Sequence, residues 1–334
     1  MRRTFLSTLL LASTAFAQEY IDTFTYPAGT VVPGYTEQRG DWVVLPSGQV
    51  QSNVATTFQE LTLDGVTDQD CCVETVAIYD MAAPQLMYTG PIARHNGAGA
   101  TATYFMIKLQ DNGAPNDGFD SYWVYYYNGA SFQFVASGSN GTISPPTTQA
   151  RVRLQVIEES GNVRVQIFID TDMDGKWDIT NEWLSTIGVG SSGNVGINGY
   201  RNAIADDFKY FNGTLYLADR PVIGTSVRLL GRATPNTIYQ GVCSLGRSTG
   251  IPLAANRAIP VDFDPLFQVS VSTPAVFQFA GLTTSSGDFT LNFNIPNVPQ
   301  LNGITVWSSA VTLTTTPFGF VDITPDVEIN FTNV

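Results

Sequence analysis

Between Val73 and Gly213 the chain is written almost entirely in short apolar–polar alternations: "VETVAIYDM", "ATYFMIKLQ", "SYWVYYYNG", "ARVRLQVIEE", "NVRVQIFID" and "IADDFKYFNG". They are separated by the turn strings "DNGAPNDG" (111–118), "NGAS" (128–131), "SGSNGTISPP" (137–146) and "ESGN" (159–162). A period of two is that of a strand whose successive side chains point to opposite faces. Gly, Asn, Asp and Ser at such short intervals place hairpins between the strands. No segment carries a helical stripe with caps. The expectation is an all-β chain of stacked antiparallel sheets.

A length of 334 residues suggests two domains. The N-terminus, "MRRTFLSTLLLASTAFA", has two arginines, an apolar run from Phe5 to Phe16 and the small-x-small pattern Ala15-Phe16-Ala17. It reads as a signal peptide (1–17) cleaved after Ala17, which predicts a secreted, extracellular or cell-surface protein. Arg2-Arg3 leaves the general secretory and twin-arginine routes both open. No later stretch holds the roughly 18 apolar residues that a transmembrane helix requires. A second boundary falls near residue 218, where aromatic strands with acidic loops give way to Val/Leu/Thr-rich ones. Ten of the chain's 18 prolines lie beyond it. Proline is confined to loops, strand edges and first strand positions, so a second, smaller β-sandwich over 218–334 is expected after a first domain over 18–217.

The net charge is −13 with no basic cluster, which argues against nucleic acid and leaves polyvalent cations and neutral polymers as partners. The three cysteines, Cys71, Cys72 and Cys243, form no disulfide framework. Cys71 and Cys72 begin an apolar strand and read as one buried and one edge residue, although a vicinal bridge or a pairing with Cys243 is also conceivable.

The first region opens with "IDTFTYPAGTVVPGYTEQRGDWVV" and closes with "GINGYRNAIADDFKYFNG", each placing an Asp one or two residues before a Phe. Over roughly Gln18 to Gly213 this pattern resembles the concanavalin A-like and laminin G-like jelly rolls, in which opening and closing strands lie side by side. The second region, with "IPVDFDPLFQVSV" and "FNIPNVPQLNGITVWSSAV", resembles the terminal β-sandwich modules of large secreted proteins of planctomycete-like bacteria, which implies a fold and no chemistry.

Asp170, Asp172, Asp174, Gly175 and Asp178 follow the D-x-D-x-D-G-x-x-D spacing of a calcium loop, in which alternate side chains converge and the glycine permits the sharp turn. Three carboxylates and the Lys176 carbonyl would supply most of a calcium shell. Asn181 stands at the twelfth position, where such loops carry Glu, and no helices flank the loop. Asp and Gly are also what a hairpin turn recruits without any metal, so both readings stand. The jelly-roll resemblance implies a second calcium site, with Asp207 as the closing-strand aspartate and Asp22 in its neighbourhood. The alternative there is an acidic edge that discourages strand pairing.

In "SYWVYYYNG" a period of two aligns Trp123, Tyr125 and Tyr127 on one face. That row could form a concave-sheet platform on which sugar rings stack, or it could be core. Loop residues Asp111, Asn112, Asp117 and Asp120 could rim it as hydroxyl partners, or be merely solvated. His95 is the sole histidine, in an Arg-His-Asn-Gly turn that reads as an exposed loop. It excludes a metal-hydrolase His pair, and no Glu-x-Asp-x-x-Glu string of the jelly-roll glucanases is present. The expectation is a non-catalytic binder of glycan or another extracellular polymer, with structural calcium. A glycoside hydrolase or lyase, and a purely structural or adhesive surface component, are the alternatives.

Overall fold

The computed structural model describes residues 20–54, 57–82, 86–98, 101–112, 117–248, 250–254, 257–273, 277–315 and 318–333. The expected signal peptide lies outside the described residues. Within them the chain is all-β, as its alternation requires. Two eight-stranded antiparallel sheets pack face to face as a jelly roll, and smaller sheets follow.

Sheet I runs in the order Ile179–Ser185, Asn162–Asp170, Gln149–Glu159, Cys71–Ile78, Ile204–Phe211, Val50–Ser52, Trp42–Val44. Its opening strand, Tyr20–Asp22, lies beside the closing one, with Asp22 opposite Phe208. Sheet II runs Phe132–Phe134, Phe119–Asn128, Thr103–Gln110, Tyr88–Asn96, Asn194–Tyr200, Phe58–Leu63, Tyr35–Arg39, with Asn140–Thr147 also paired to Phe119–Asn128. The alternation sorts side chains as predicted. Val152, Leu154 and Val156 enter the core between the sheets along with Val73, Ile107, Val124 and Ile197, while Arg151, Arg153 and Gln155 point away. Full burial of each such aliphatic side chain contributes about 1.5–3 kcal/mol.

Beyond Asn212 the chain builds a three-stranded sheet (Thr214–Leu217, Ser226–Arg232, Asp288–Asn294) and a five-stranded sheet centred on Thr305–Thr315, with a core including Leu229, Phe279, Leu291 and Phe293. Among the described residues a 3-10 turn at Pro299–Leu301 and an α-helix at Pro265–Ser272, which begins within "IPVDFDPLFQVSV", depart from the strand reading. Asp264 caps the α-helix by accepting the Phe267 N–H at 2.8 Å, and Pro265 occupies its first turn. Both are helix-start signals, masked in the sequence by the β-branched valines that follow.

The cysteines also differ from expectation. All three are free and buried, with none at an edge. Alternation sends Cys71 into the core and Cys72 to the outer face of sheet I, which is itself covered. Burial pushes the Cys71 and Cys243 thiols up to about 12, so neither forms a thiolate near neutral pH.

What covers sheet I is the C-terminal region. Arg153 donates to Glu74 of the neighbouring strand at 2.7 Å, and to the Asp326 carboxylate at 2.5 Å and carbonyl at 2.6 Å. Arg247 donates to the other Asp326 oxygen at 2.8 Å, and Lys209 to Glu74 at 3.0 Å. Arg153, Glu74 and Asp326 are all at most 3% exposed. Burial opposes the ionisation of Glu74, but Lys209, Arg153, Arg247 and Arg151 outweigh it and hold its carboxyl well below the usual range. For Asp326 burial is likewise outweighed, by Arg153 and Arg247.

Replacing Arg153 by Met removes the cation that two buried carboxylates share, leaving Lys209 to Glu74 and Arg247 to Asp326, and should cost about 3–5 kcal/mol in denaturant unfolding. Because both carboxyl pKa values are depressed in the folded state, their stabilisation is complete above the unfolded value near about 4 and is lost as pH falls through the lower folded values. Thermal melts of the wild type should therefore fall steeply below about pH 4, and those of Arg153→Met less so.

Candidate functional site

The face of sheet II turned away from the core is aromatic. Trp123 and Tyr125 lie parallel, at an interplanar angle of 1° with centroids 6.2 Å apart. After the turn at Asn128, the strand Phe132–Phe134 folds back with Phe132 opposite Tyr127 and Phe134 opposite Tyr125. Phe134 stands 4.8 Å from Tyr125 and 5.8 Å from Trp123, centroid to centroid. Phe132 and Phe134 are 38% and 43% exposed, large values for phenylalanine. Their contribution was legible as the alternation "FQF" after a turn, but the strand is too short to stand out. Tyr127, expected in the same exposed row, is buried among Tyr104, Phe58 and the Arg39 guanidinium, and forms floor instead of surface. A satellite cluster of Ile92, Tyr104, Met106 and Tyr127 underlies the exposed rings.

The loop residues divide. Asp111 is fully buried and accepts the Tyr79 hydroxyl at 2.6 Å, so it is structural and not a rim residue. Asp120 accepts the Asn112 N–H at 3.0 Å. The Asn112 amide donates at 2.7 Å to Ser121 Oγ, which also accepts the Trp123 indole N–H at 3.3 Å. Asn112 and Asp117 are exposed near this end of the platform strand.

At the acidic hairpin, ligand oxygens of Asp170, Asp172 and Asp174 all lie within 4.8 Å of one another. Asp172 accepts the Asp174 N–H at 3.1 Å, and Asp174 accepts the Lys176 N–H at 2.8 Å. Met173 and Gly175 take left-handed backbone angles, φ 61° and 92°, that close the turn. Asp178 is committed to the hairpin itself, accepting the Thr171 N–H at 2.7 Å and hydroxyl at 2.6 Å. Asp170 is fully buried, and while its Oδ2 accepts the Gly175 N–H at 3.1 Å, its Oδ1 has no hydrogen-bond partner. Burial raises its pKa despite Arg151, which marks a carboxylate short of positive charge. Three convergent carboxylates, one of them with an orphaned buried oxygen, are a donor set that fits calcium.

Asp22 and Asp207 do not join a comparable group among the described residues. Asp22 is spent locally on the Phe24 N–H (2.7 Å) and the Tyr26 hydroxyl (2.9 Å). Asp207 occupies a bulge in the closing strand at φ 46°.

His95 is not an exposed loop residue. It is 2% exposed, its Nε2 lies 2.9 Å from Glu60 Oε2, and its ring stacks on Tyr104, whose hydroxyl donates to Glu60 Oε1 at 2.7 Å. Arg39 adds a contact to Glu60 at 3.4 Å. The grouping has acid–base residue types, and Glu60, His95 and Tyr104 are all at most 2% exposed, with their polar atoms paired to one another.

No protein-family model matches the chain, and no curated protein matches it. Among solved structures it is similar to carbohydrate binding module CBM66 from Bacillus subtilis, at 15% identity over 53% of this chain and 94% of that one, with a TM-score of 0.39. It is also similar to the Ca2+-bound exoplasmic/lumenal domain of VIP36 (12% identity, 58% and 89% covered, TM-score 0.39) and to lectin UEA-II complexed with galactose (9% identity, 59% and 98% covered, TM-score 0.38).

If the Glu60 cluster is structural, Glu60→Leu should lower stability by about 1–3 kcal/mol for each donor left unpaired, with Tyr104 and His95 the main losers. Equilibrium urea unfolding measures this; an unchanged midpoint would contradict it.

Proposed function

We propose that the protein is an exported, non-catalytic glycan-binding protein whose recognition surface is the outer face of sheet II. The observation that carries this reading is the pair Trp123 and Tyr125, parallel to within 1° and extended by the exposed rings of Phe132 and Phe134. The C–H face of a pyranose ring stacks on such a surface, while Asn112 and Asp117 meet its hydroxyls. An open platform of this kind binds shallowly, and useful strength comes from several sugars or several copies engaged together. The signal-peptide pattern at the N-terminus supports export. The C-terminal sandwich, joined through the buried ion network, serves as spacer or attachment module.

The acidic hairpin is proposed as a structural calcium site held by Asp170, Asp172 and Asp174. Its role is stiffening, because the loop is part of a sheet I hairpin whose next residue, Trp177, donates its N–H to Glu328 at 3.1 Å in the C-terminal region.

Two measurements test the reading. On a polysaccharide array, Trp123→Ala should weaken every retained ligand by roughly five- to thirtyfold, as expected for about 1–2 kcal/mol of lost stacking. Unaltered binding would remove the platform from the mechanism. Calcium at about a hundred times its dissociation constant should stabilise the wild type by about 2.7 kcal/mol, several degrees in the melt, and should leave Asp170→Asn unmoved.

A further inference from the structure

Lys108 lies in the strand Thr103–Gln110, directly opposite Trp123 on the platform face of sheet II. Its Nζ is 3.9 Å from the Phe132 ring centroid, 4.2 Å from Tyr88 and 5.2 Å from Tyr125. The residue is only 8% exposed. Among the described residues no carboxylate pairs with it and no acceptor is hydrogen-bonded to it. That sets it apart in a strongly acidic chain. Arg94, Arg153, Arg164, Lys209 and Arg232 each have a carboxylate oxygen within 3.1 Å. Aromatic faces offset part of the cost of burying an ammonium, but they supply no counter-charge.

We propose that Lys108 is an anion subsite of the platform and that the sugar it selects is a uronic acid, whose carboxylate enters between the Phe132 and Tyr88 rings. The proposal rests on the glycan-binding reading of Trp123 and Tyr125 and names the class of glycan. A sugar ring stacked on Trp123 lies across the strand pair from Lys108, so an equatorial carboxylate is presented to the amine. Phe132, on a three-residue edge strand, is the exposed wall of the slot and the ring that must turn aside to admit it. A slot walled by rings favours a planar carboxylate over a tetrahedral sulfate. In surroundings this poor in water an ion pair is worth several times its aqueous value.

Burial alone lowers the Lys108 pKa to about 8. The titratable groups packed against it are Tyr88 and Tyr125, whose hydroxyl pKa values are both raised by burial, so neither gains charge below pH 10. The amine is therefore charged at pH 6.5 and largely neutral at pH 9.5.

The test compares polygalacturonate, its methyl ester and cellulose sulfate in affinity electrophoresis at about 0.15 M salt, which screens the chain's overall negative charge. At pH 6.5 the wild type should retain polygalacturonate at least tenfold more tightly than either other polymer. Lys108→Met should erase that preference while leaving retention by the ester, and a normal melt, intact. Raising the pH to 9.5 should weaken polygalacturonate binding roughly tenfold in the wild type and not in Lys108→Met. Equal binding of ester and acid, a preference that survives Lys108→Met, or cellulose sulfate bound as tightly as polygalacturonate would each overturn the assignment. Ester binding that is lost in Trp123→Ala keeps the platform reading alive in those cases. Retention of none of the three polymers would overturn the uronate subsite, and a blank array would overturn the platform with it.

Discussion

The buried charges between sheet I and the C-terminal sandwich are the constraint on which the rest of the molecule depends. Arg153 touches Glu74 on one side and Asp326 on the other, with Arg247 and Lys209 completing the set. Taking such groups out of water costs several kcal/mol per ion, and only a complete arrangement offsets that cost. The two halves consequently have one favourable way to meet. The ring of Trp177 reinforces it, lying 4.7 Å from the Arg153 guanidinium and 4.3 Å from that of Arg247. The outer face of sheet I, polar by alternation, is occupied by this docking, and the outer face of sheet II carries the surface that is left.

That division leaves two kinds of side chain on the outer face of sheet II. The acid–base residue types on sheet II, Glu60, His95 and Tyr104, are sealed beneath Arg39 and the aromatic floor and satisfy one another. Beside them the rings of Phe132 and Phe134 remain exposed. The acidic hairpin lies at the edge of the same docking contact, since its backbone runs directly into Trp177. Its geometry at Asp170 is set by the strand Asn162–Asp170 on one side and by the C-terminal region on the other.

Much of the fold was legible because it is carried by local alternation. "ARVRLQVIEE" became Gln149–Glu159 with its valines and leucine inward, and the Asp-x-Phe start came to rest beside the closing strand. The acidic turn was legible for the same reason: three aspartates two residues apart converge whenever the chain turns tightly. Readings that needed a neighbour failed. His95 stands in a sequence that reads as a turn, yet a bulge beside Arg94, at φ 56°, turns it inward toward Glu60, which is 35 residues away. Tyr127 belongs to the right face but lies where Phe58 and Arg39 cover it. Asp111 looks like a rim residue until Tyr79 is placed against it. The helix Pro265–Ser272 was missed because its two turns are too short to show a helical period against the strand signal of Val269 and Val271.

By itself the sequence determined the strands, the turns and which side chains share a face, because those follow from a backbone period of two and from the few residues that tolerate tight turns. Only the tertiary structure decided which of the two outer faces is covered, which rings remain in contact with solvent, and that Lys108 stands among aromatic rings with no carboxylate partner among the described residues. Those outcomes depend on surfaces brought together from distant parts of the chain, where the desolvation of charge, and not local periodicity, sets the energy.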